Sequence, residues 1–447
     1  MRLAVIVACI GMFLSTLDSG VINVALPYLT KYFDAPLSLS SWTISLYFLM
    51  LSGTIVIFGK VGDRFGRVKT FTHGFFIFGA SSALCACSTS IYMLIVARGL
   101  QGIGAAMLQA TAPAVITTLL PEHKKAHAIG LMGLVIGLGP VLGPAVSGFF
   151  ISLLSWRWIF WINLPFCIAG ILIANRICDT AEREAHPLDM VSILIFLVGI
   201  FSLALAILLL SDIRQNSMYI AWSLVFFVIF VVVYVIHSKK VSKNPLINLD
   251  HLVNYKFILI LLSTFTFGLV TATILILPPI FLNSSTSLYP WQIGLISLSA
   301  PIGIMSTARL SGKTINSIGG NTLMLIGLGI MGIATLILTN ISLHWTLYFL
   351  ILCLFIYGLG GGIYQPANIS VTMSMFLAKN QGSVAGINRM LHNLGNASGV
   401  LVSSLLVEEK IGGVLTQGMR WTWEISFLLL FLSLMGVFFI KKMEKLK

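Results

Sequence analysis

Two opposite charges lie deep inside apolar stretches of this sequence. Asp18 interrupts the apolar segment 4–28, and Arg98 interrupts the segment 91–116. At the helical rise of about 1.5 Å per residue, Asp18 lies roughly 13 Å from Pro27 near the C-terminal end of its segment, and Arg98 lies roughly 10 Å from Ile91 at the N-terminal end of its own. If both segments are helices that cross the same layer, the two charges can meet at similar depth.

A carboxyl group in such a place is suited to carrying protons. Burial favours the neutral acid, whereas a nearby guanidinium favours the carboxylate. A group balanced between these effects can bind and release a proton as its access to water changes. Gln101 lies one turn after Arg98 on the same helical face, so we predict a coupling site made by Asp18, Arg98 and Gln101. The alternative is a buried ion pair that only holds two helices together.

The composition identifies the surroundings of these residues as lipid. Of the 447 residues, 57% are hydrophobic and 9% are charged, whereas soluble proteins carry about 25% charged residues. A membrane-spanning helix needs about 20 apolar residues, so the chain has room for about fourteen spans and for no separate soluble domain. The net charge of +13 is explained by basic residues that collect in cytoplasmic loops. We therefore expect no nucleic-acid partner.

Apolar runs between polar or turn-rich breaks predict fourteen membrane-spanning helices. Their approximate bounds are 4–28, 41–59, 70–88, 91–116, 127–151, 159–178, 190–210, 218–236, 256–282, 291–310, 321–340, 345–366, 382–406 and 423–440. Twenty basic residues then fall on the side of the N-terminus, and five fall on the other side. Because basic residues favour the cytoplasmic side, we expect a multi-pass membrane protein with both termini in the cytoplasm.

A short internal repeat indicates two similar halves. Aligning residues 59–66 with residues 312–319 places Gly59, Lys60, Asp63 and Gly66 on Gly312, Lys313, Asn316 and Gly319. Chance is the alternative for so short a match. The offset predicts an N-terminal six-helix bundle in residues 1–180, two inserted helices in 181–250 and a C-terminal six-helix bundle in 251–447. Repeated halves are typical of secondary transporters, in which one half moves against the other around a central site.

The connection between the second and third spans combines glycines with alternating charges. Its candidate functional residues are Gly59, Asp63, Arg64, Gly66 and Arg67. Glycine permits a tight turn, and salt bridges between helix ends can close one side of a transporter when they form and open it when they break. We therefore predict a cytoplasmic gate here. The alternative is a basic loop that only fixes the topology.

The fifth span carries glycine and proline at short, regular spacing. The residues concerned are Gly137, Gly139, Pro140, Gly143 and Pro144. Small residues let another helix backbone approach closely, and proline opens the helical hydrogen-bond ladder. We predict a helix contact between the two halves, and ordinary small-residue packing is the alternative.

Polar side chains at helical spacing mark the thirteenth span. Asn388, Arg389, His392 and Asn393 lie there, and Asn23 adds a polar amide to the first span. We predict that these residues line a central cavity. Hydrogen bonds that join neighbouring helices are an equally good explanation of such a stripe.

The sequence indicates no cofactor, no metal site and no enzyme activity. The six cysteines form no CxxC pair, and paired carboxylates, metal-ligand clusters and a complete phosphate-binding loop are all missing. We therefore expect the proton motive force, rather than ATP, to supply the energy.

Five stretches of the chain resemble the signatures of one family. Residues 59–69 look like the motif GxxxDRxGRxK, residues 98–102 look like RxxQG, and residues 17–27, 137–144 and 156–165 are similar to further motifs of the same group. Together they make nearly the whole chain resemble the major facilitator superfamily, and within it the fourteen-span drug:proton antiporters. The fold that this resemblance implies is two six-helix bundles with two extra central spans.

The resemblance also implies a function, which is proton-driven efflux of lipophilic cations such as dyes, quaternary ammonium biocides or quinolones. It implies proton or cation binding by Asp18 and proton coupling by Arg98. It further implies a cytoplasmic gate at Asp63, Arg64 and Arg67, and a helix contact between the halves at Gly139, Pro140 and Gly143.

The tenth span bears on whether the cations implied by the resemblance carry one charge or two. Residues 291–310 contain no acid, although some family members place a carboxylate there for divalent cations. We therefore expect mainly monovalent cations. The expected partners are protons, such cations and the lipid bilayer, and we expect the protein to act as a monomer.

Two rival functions stay open at this point. A dedicated exporter of a single metabolite, lipid or antibiotic would have the same fold, and it would confer resistance to one compound rather than to many. A non-transporting membrane sensor is the other rival, although the chain has no soluble output domain.

Overall fold

Helices make up the whole regular structure in the described part of the chain. The structure is a computed structural model, and it describes residues 2–177, 189–209, 213–240, 254–340, 347–376, 381–408 and 415–445. Its helices are α1 (Arg2–Tyr32), α2 (Leu37–Phe65), α3 (Arg67–Ala86), α4 (Ile91–Leu119), α5 (Glu122–Leu153), α6 (Trp158–Trp161), α7 (Asn163–Ala174), α8 (Met190–Leu209), α9 (Ile213–Lys240), α10 (Tyr255–Ser285), α11 (Pro290–Ser297), α12 (Ser299–Ile318), α13 (Gly320–Leu338), α14 (Leu347–Ser374), α15 (Gln381–Glu408) and α16 (Leu415–Lys445).

Two pairs of these helices each form one interrupted stretch. Only Ile162 separates α6 from α7, and only Leu298 separates α11 from α12. If each pair is counted once, the described residues contain fourteen helical stretches, which is the predicted number of spans. Ten helices among these residues are long and apolar enough to cross a membrane, and shorter apolar helices lie at Leu138–Leu153, Trp158–Ala174 and Met190–Leu203. The predicted all-α, multi-span fold is confirmed.

Side-chain caps mark the beginnings of two of the long helices. The Ser90 hydroxyl accepts a hydrogen bond from the Met93 backbone nitrogen at 3.2 Å, where α4 begins. The Asn254 side chain accepts one from the Lys256 nitrogen at 3.0 Å, where α10 begins. Such caps satisfy backbone N–H groups that have no partner inside the helix.

Equivalent glycines join two pairs of consecutive helices. Gly66, between α2 and α3, has φ 111° and ψ 128°. Gly319, between α12 and α13, has φ 88° and ψ 136°. Glycine adopts such angles readily because it has no Cβ, and these are the two glycines with positive φ in the described residues. The shared geometry agrees with the sequence repeat of residues 59–66 and 312–319.

The chain groups into two compact units. The first contains Met1–Thr16, Trp42–Gly139 and Phe160–Val253, and the second contains Leu17–Ser41, Pro140–Ile159 and Asn254–Lys447. The C-terminal halves of α1 and α5 therefore belong to the second unit. The domain boundaries predicted near residues 180 and 250 fall in stretches 178–188 and 241–253, which lie outside the described residues. Those boundaries stay predictions.

In the first unit, α4 packs closely against both α2 and α3. A Cβ at Gly104 would lie 2.6 Å from the backbone nitrogen of Phe78 in α3. A Cβ at Gly102 would meet the backbone oxygen of Tyr47 in α2. Phe71 and Phe75 of α3 fill the core beside these contacts. This close approach brings the side chains of α4 into the range of hydrogen bonds from both neighbours.

The two inserted helices α8 and α9 pack on each other and expose much of their apolar surface. Asp189 accepts a hydrogen bond from the Ser192 backbone nitrogen at 3.0 Å, where α8 begins. The same carboxylate lies 2.9 Å from Nε2 of His237, near the end of α9. Most side chains between Met218 and Ile236 of α9 are exposed, as expected for a helix surrounded by lipid.

In the second unit, α10 and α15 approach each other through glycines from both helices. A Cβ at Gly268 of α10 would meet the backbone oxygen of His392 in α15. A Cβ at Gly395 of α15 would meet the backbone oxygen of Phe265 in α10. Small residues at such contacts are typical of helix packing in membranes. They position the polar stripe of α15 directly beside α10.

Candidate functional site

Arg98 of α4 is a fully buried cation whose contacts include neutral hydrogen-bond acceptors and aromatic rings. Its side chain is 0% exposed. Nε donates a hydrogen bond to the backbone oxygen of Thr43 at 2.8 Å, and Nη1 donates one to Oε1 of Gln101 at 2.6 Å. The guanidinium carbon lies 4.3 Å from the ring centre of Tyr47 and 5.8 Å from that of Phe160. These groups stabilise the guanidinium through dipoles and ring faces without cancelling its charge.

Gln101 connects Arg98 to α3 and α7. Its Nε2 donates a hydrogen bond to the Ser82 hydroxyl of α3 at 2.8 Å. Asn163, the first residue of α7, donates from Nδ2 to the same hydroxyl oxygen at 3.3 Å. The Cys85 thiol lies 3.8 Å from Oε1 of Gln101. Arg98 and Gln101 are therefore neighbours in a buried hydrogen-bond network that joins four helices, α2, α3, α4 and α7.

Several members of this network are not predictable from the sequence. Phe160 and Asn163 lie inside the stretch 156–165, whose resemblance to a family motif does not indicate that they contact Arg98 or its neighbours. Ser82 and Tyr47 carried no recognisable signal, because a serine or a tyrosine in an apolar span is common. The one available signal was Asn163, an amide inside an otherwise apolar span.

Asp18 of α1 is the second buried charge. Its side chain is 3% exposed, and among the side chains that the structure describes, Asp18 and Arg98 are the two charged ones that are buried. Asp18 belongs to the second compact unit and Arg98 to the first, so their predicted meeting stays a prediction. Asn23, one of the cavity candidates, is also buried. It donates a hydrogen bond to the backbone oxygen of Ser19 in its own helix at 3.2 Å.

The predicted gate contains a salt bridge across the turn at Gly66. Nε and Nη2 of Arg67, at the start of α3, both lie 2.8 Å from Oδ1 of Asp63, near the end of α2. Both side chains are partly exposed. The pair therefore joins the ends of two consecutive helices, at a place where water can reach it.

The remaining gate residues differ in what surrounds them. The Arg64 guanidinium lies 5.2 Å from the ring centre of Phe65. Gly59 lies within α2, and a Cβ there would meet no atom within 4 Å. Local packing therefore does not require glycine at position 59, whereas the positive φ of Gly66 does.

The fifth helix contacts α1 through the predicted glycine and proline run. A Cβ at Gly143 would lie 2.7 Å from the backbone carbon of Gly20 in α1. A Cβ at Gly20 would lie 3.2 Å from the Cα of Pro140. The two backbones therefore approach so closely that a Cβ at either glycine would crowd the other helix, just beyond Asp18 along α1.

The same helix also contacts α11, which comes from the other half of the sequence. A Cβ at Gly294 of α11 would meet the backbone oxygen of Pro144. A Cβ at Gly148 would lie 2.5 Å from the backbone oxygen of Pro290. Gly139 is buried in α5, and the surroundings of Gly137 lie outside the description.

Asn388 of α15 belongs to a buried polar cluster that joins three helices of the second unit. Its Oδ1 accepts a hydrogen bond from Thr264 of α10 at 2.7 Å, and its Nδ2 donates one to Asn368 of α14 at 3.2 Å. Asn368 donates in turn to the Tyr364 hydroxyl at 3.0 Å. The Ser263 hydroxyl lies 2.7 Å from the same Tyr364 oxygen. These contacts are of the interhelical kind that sequence analysis kept as the alternative for Asn388.

Aromatic rings continue this cluster along α10. The His392 ring stacks on Phe267 with a centroid separation of 5.4 Å and an interplanar angle of 24°. Phe267 also lies 5.0 Å from the Tyr364 ring. Asn393 is buried and Arg389 is half-buried. Sequence analysis missed Tyr364 and Asn368, although their spacing of one turn on α14 places both on one helix face.

Comparison with known proteins gives relatives that include named transporters. The chain is 26% identical over 399 residues to the riboflavin transporter RibZ of Clostridioides difficile (strain 630), covering 89% of this chain and 86% of RibZ. It is 27% identical over 409 residues to the multidrug transporter protein MdtP of Bacillus subtilis (strain 168), covering 91% of this chain and 75% of MdtP. It is 25% identical over 403 residues to the putative multidrug resistance protein MdtD of Escherichia fergusonii, covering 90% and 85%.

A solved structure has the same fold. The crystal structure of the peptide transporter POT in complex with sulfate superposes with a TM-score of 0.70, covers 96% of this chain and 93% of its own, and is 16% identical in sequence. The model of the Major Facilitator Superfamily matches residues 8–241 and 257–447. The predicted fold class is therefore confirmed in full. Because this family model matches most of the chain, the protein belongs to the Major Facilitator Superfamily of membrane transporters.

Proposed function

We propose that this protein exports lipophilic, mainly monovalent cations from a bacterial cell in exchange for entering protons. The observation that carries the proposal is the burial of Asp18, an acid in the first helix of a chain that belongs to a transporter family. A buried carboxyl group that gains and loses water access can carry a proton through the membrane. The names of the relatives MdtP and MdtD support drugs as the cargo.

The proposed cycle assigns distinct tasks to the residues of the site. Asp18 binds either a proton or the positive charge of the cargo, because one carboxylate cannot neutralise both at once. Arg98 biases this choice through its fixed charge, held by Gln101 and Thr43. The pair Asp63–Arg67 closes the cytoplasmic side while it is formed. Both termini lie in the cytoplasm, the protein acts as a monomer, and the proton motive force supplies the energy without a bound cofactor or metal.

Ethidium efflux from liposomes tests this proposal. The purified protein is reconstituted with an imposed pH gradient, and the chain with Asp18→Asn is compared with the unchanged chain. Efflux should require both the gradient and Asp18, because Asn keeps the size of the side chain but cannot exchange a proton. Asp34→Asn is the matched control, since Asp34 follows the same helix in a left-handed conformation with φ 48° that Asn also adopts.

Each outcome of this experiment has a defined meaning. Loss of coupled efflux in Asp18→Asn, with Asp34→Asn unchanged, supports the proposal. Coupled efflux that persists in Asp18→Asn removes Asp18 from the coupling site. If the unchanged protein binds ethidium but does not transport it, ethidium is not a cargo.

A transporter dedicated to one compound is the second candidate function. It is favoured by the relative RibZ, whose name specifies riboflavin and which the chain matches over 89% of its length. Competition separates the two functions. The dedicated transporter is favoured if riboflavin blocks ethidium efflux and lipophilic cations other than ethidium do not compete.

A further inference from the structure

A chain of three hydrogen bonds leads from α7 to the buried guanidinium of Arg98. Asn163 donates to Ser82 at 3.3 Å, Gln101 donates to Ser82 at 2.8 Å, and Arg98 donates to Gln101 at 2.6 Å. All four side chains are buried. Because water does not compete with these bonds, each of them restricts its partners strongly.

The chemistry of Arg98 and Ser82 determines which atom of the Gln101 amide faces which neighbour in this series of hydrogen bonds. An arginine side chain has only N–H donors and no acceptor, so Oε1 of Gln101, rather than its Nε2, must face Arg98. The amide nitrogen of Gln101 must then find an acceptor on its other side, and the Ser82 hydroxyl oxygen is that acceptor. A rotation of this amide by half a turn would place N–H groups against N–H groups.

Asn163 completes the arrangement from the other side of Ser82. A hydroxyl oxygen has two lone pairs, and the amide donors of Gln101 and Asn163 use both of them. The hydroxyl hydrogen of Ser82 must therefore point away from Gln101. Without Asn163, the hydroxyl could rotate and point its hydrogen at Gln101, which would weaken the acceptor that holds the Gln101 amide nitrogen and leave the amide less firmly oriented.

We propose that Ser82 and Asn163 are positioning residues that hold the Gln101 amide in one orientation and thereby hold the guanidinium of Arg98 in the direction that proton coupling requires. They act through Gln101 and have no direct contact with cargo. The proposal rests on the proposed role of Arg98 in proton coupling. It also gives a physical role to the stretch 156–165, which supplies Asn163 and, through Phe160, a ring beside the guanidinium.

The chain offers a matched control for the test. Ser81 precedes Ser82 in α3 and is buried as well, but its hydroxyl donates to the backbone oxygens of Ile77 and Phe78 in its own helix, at 2.6 and 3.1 Å. Ser81→Ala therefore removes a buried hydroxyl from the same helix without touching the network. The test variants are Ser82→Ala and Asn163→Leu.

The first readout does not depend on transport. The ¹⁵N NMR signals of labelled arginine side chains are recorded in lipid bilayers, and the Arg98 signals are assigned by their absence in Arg98→Lys. We expect Ser82→Ala and Asn163→Leu to shift the Nη1 signal of Arg98, and Ser81→Ala to leave it in place. An unchanged Nη1 signal in Ser82→Ala overturns the proposal.

The second readout separates coupling from cargo binding. We expect Ser82→Ala to slow ethidium transport driven by a pH gradient about fivefold, in line with the loss of one neutral hydrogen bond, with the ethidium affinity unchanged. If Ser82→Ala transports as fast as Ser81→Ala, or loses affinity rather than rate, the positioning role is wrong. If the NMR signal shifts but the unchanged chain moves no ethidium, the proposed cargo fails and the positioning role stands.

Discussion

At the scale of single residues, the chain keeps charge inside the membrane in two different ways. Arg98 is surrounded by a backbone carbonyl, an amide oxygen and two aromatic rings. The guanidinium remains charged, and these contacts stabilise it through two hydrogen-bond acceptors and two ring faces. In the proposed function, Asp18 instead loses its charge when it binds a proton, so the fixed cation Arg98 and the acid Asp18 together couple proton entry to export.

Replacing Arg98 by lysine tests whether the shape of the cation matters. We expect Arg98→Lys to lower transport driven by a pH gradient at least about tenfold, because an ammonium cannot hold Thr43 and Gln101 at once as the planar guanidinium does. The rate of ethidium efflux at equal protein density is the measurement. Arg420→Lys is the control, since Arg420 is exposed and pairs with Glu424 one turn away. Full transport by Arg98→Lys would show that charge alone is sufficient.

Removing the salt bridge between Asp63 and Arg67 tests the predicted cytoplasmic gate. We expect Asp63→Asn to slow turnover while ethidium binding is retained, because the pair joins helix ends rather than cargo. The free energy of unfolding should change by less than about 1 kcal/mol, as for other partly exposed ion pairs. Measurements of turnover, ethidium affinity and thermal melting check this. Lost binding with intact turnover would contradict the gate.

At the scale of helices, close backbone contacts decide which elements meet. Gly143 brings α5 onto α1, Gly148 brings it onto α11, and Gly268 brings α10 onto α15. A side chain at any of these positions would separate the helices, because the nearest atoms belong to backbone and cannot rotate away. Helix packing without a hydrophobic driving force depends on such contacts. The polar clusters described above exist because these contacts set the helix faces opposite one another.

The turns at Gly66 and Gly319 give a prediction at this scale. We expect Gly66→Ala and Gly319→Ala to lower the free energy of unfolding by about 1–3 kcal/mol, because a Cβ strains a backbone with φ near 90–110°. Gly59→Ala and Gly312→Ala are the matched controls in the same repeat. Both lie within helices where a Cβ would meet nothing within 4 Å, so the helix preference of alanine should leave stability equal or slightly higher.

Thermal unfolding in detergent measures all four variants. A dye that reacts with thiols reports unfolding, because Cys85, Cys167 and Cys353 are buried in the folded protein. Melting of Gly66→Ala at the temperature of the unchanged chain would show that the turn does not need glycine.

At the scale of the whole molecule, the distribution of basic residues predicts the orientation in the membrane. Cys87 ends α3 and is exposed, and the predicted orientation places it outside the cell. Lys313 lies in α12 on the predicted cytoplasmic side and is exposed as well. We expect a membrane-impermeant maleimide to label the unchanged chain in intact cells through Cys87.

A second cysteine completes this test of orientation. In a Cys87→Ser background, Lys313→Cys should be labelled only after the cells are made permeable. The Cys87→Ser chain alone is the control for the other cysteines. Labelling of Lys313→Cys in intact cells would contradict the proposed topology, because position 313 would then face the outside of the cell.

Sequence alone determined the class of this protein, its helices and its two buried charges. The solvation of a helix in lipid depends on the composition of that segment, so apolar runs predict the spans without any knowledge of their neighbours. The cost of a charge in lipid is likewise a local property, which is why Asp18 and Arg98 could be singled out. A tight turn in residues 59–69 was also predicted, because the backbone freedom of glycine is local, but the structure identified Gly66 as the glycine with positive φ.

Only the tertiary structure decided which polar groups meet. Ser82 and Asn163 became part of the Arg98 network because α3, α4 and α7 pack together, and Asn388 found Thr264 because α15 lies against α10. Hydrogen bonds between distant segments depend on which helix faces oppose each other and at what height. Hydropathy and charge counts carry no information on either, since they are the same for every rotation of a helix about its axis.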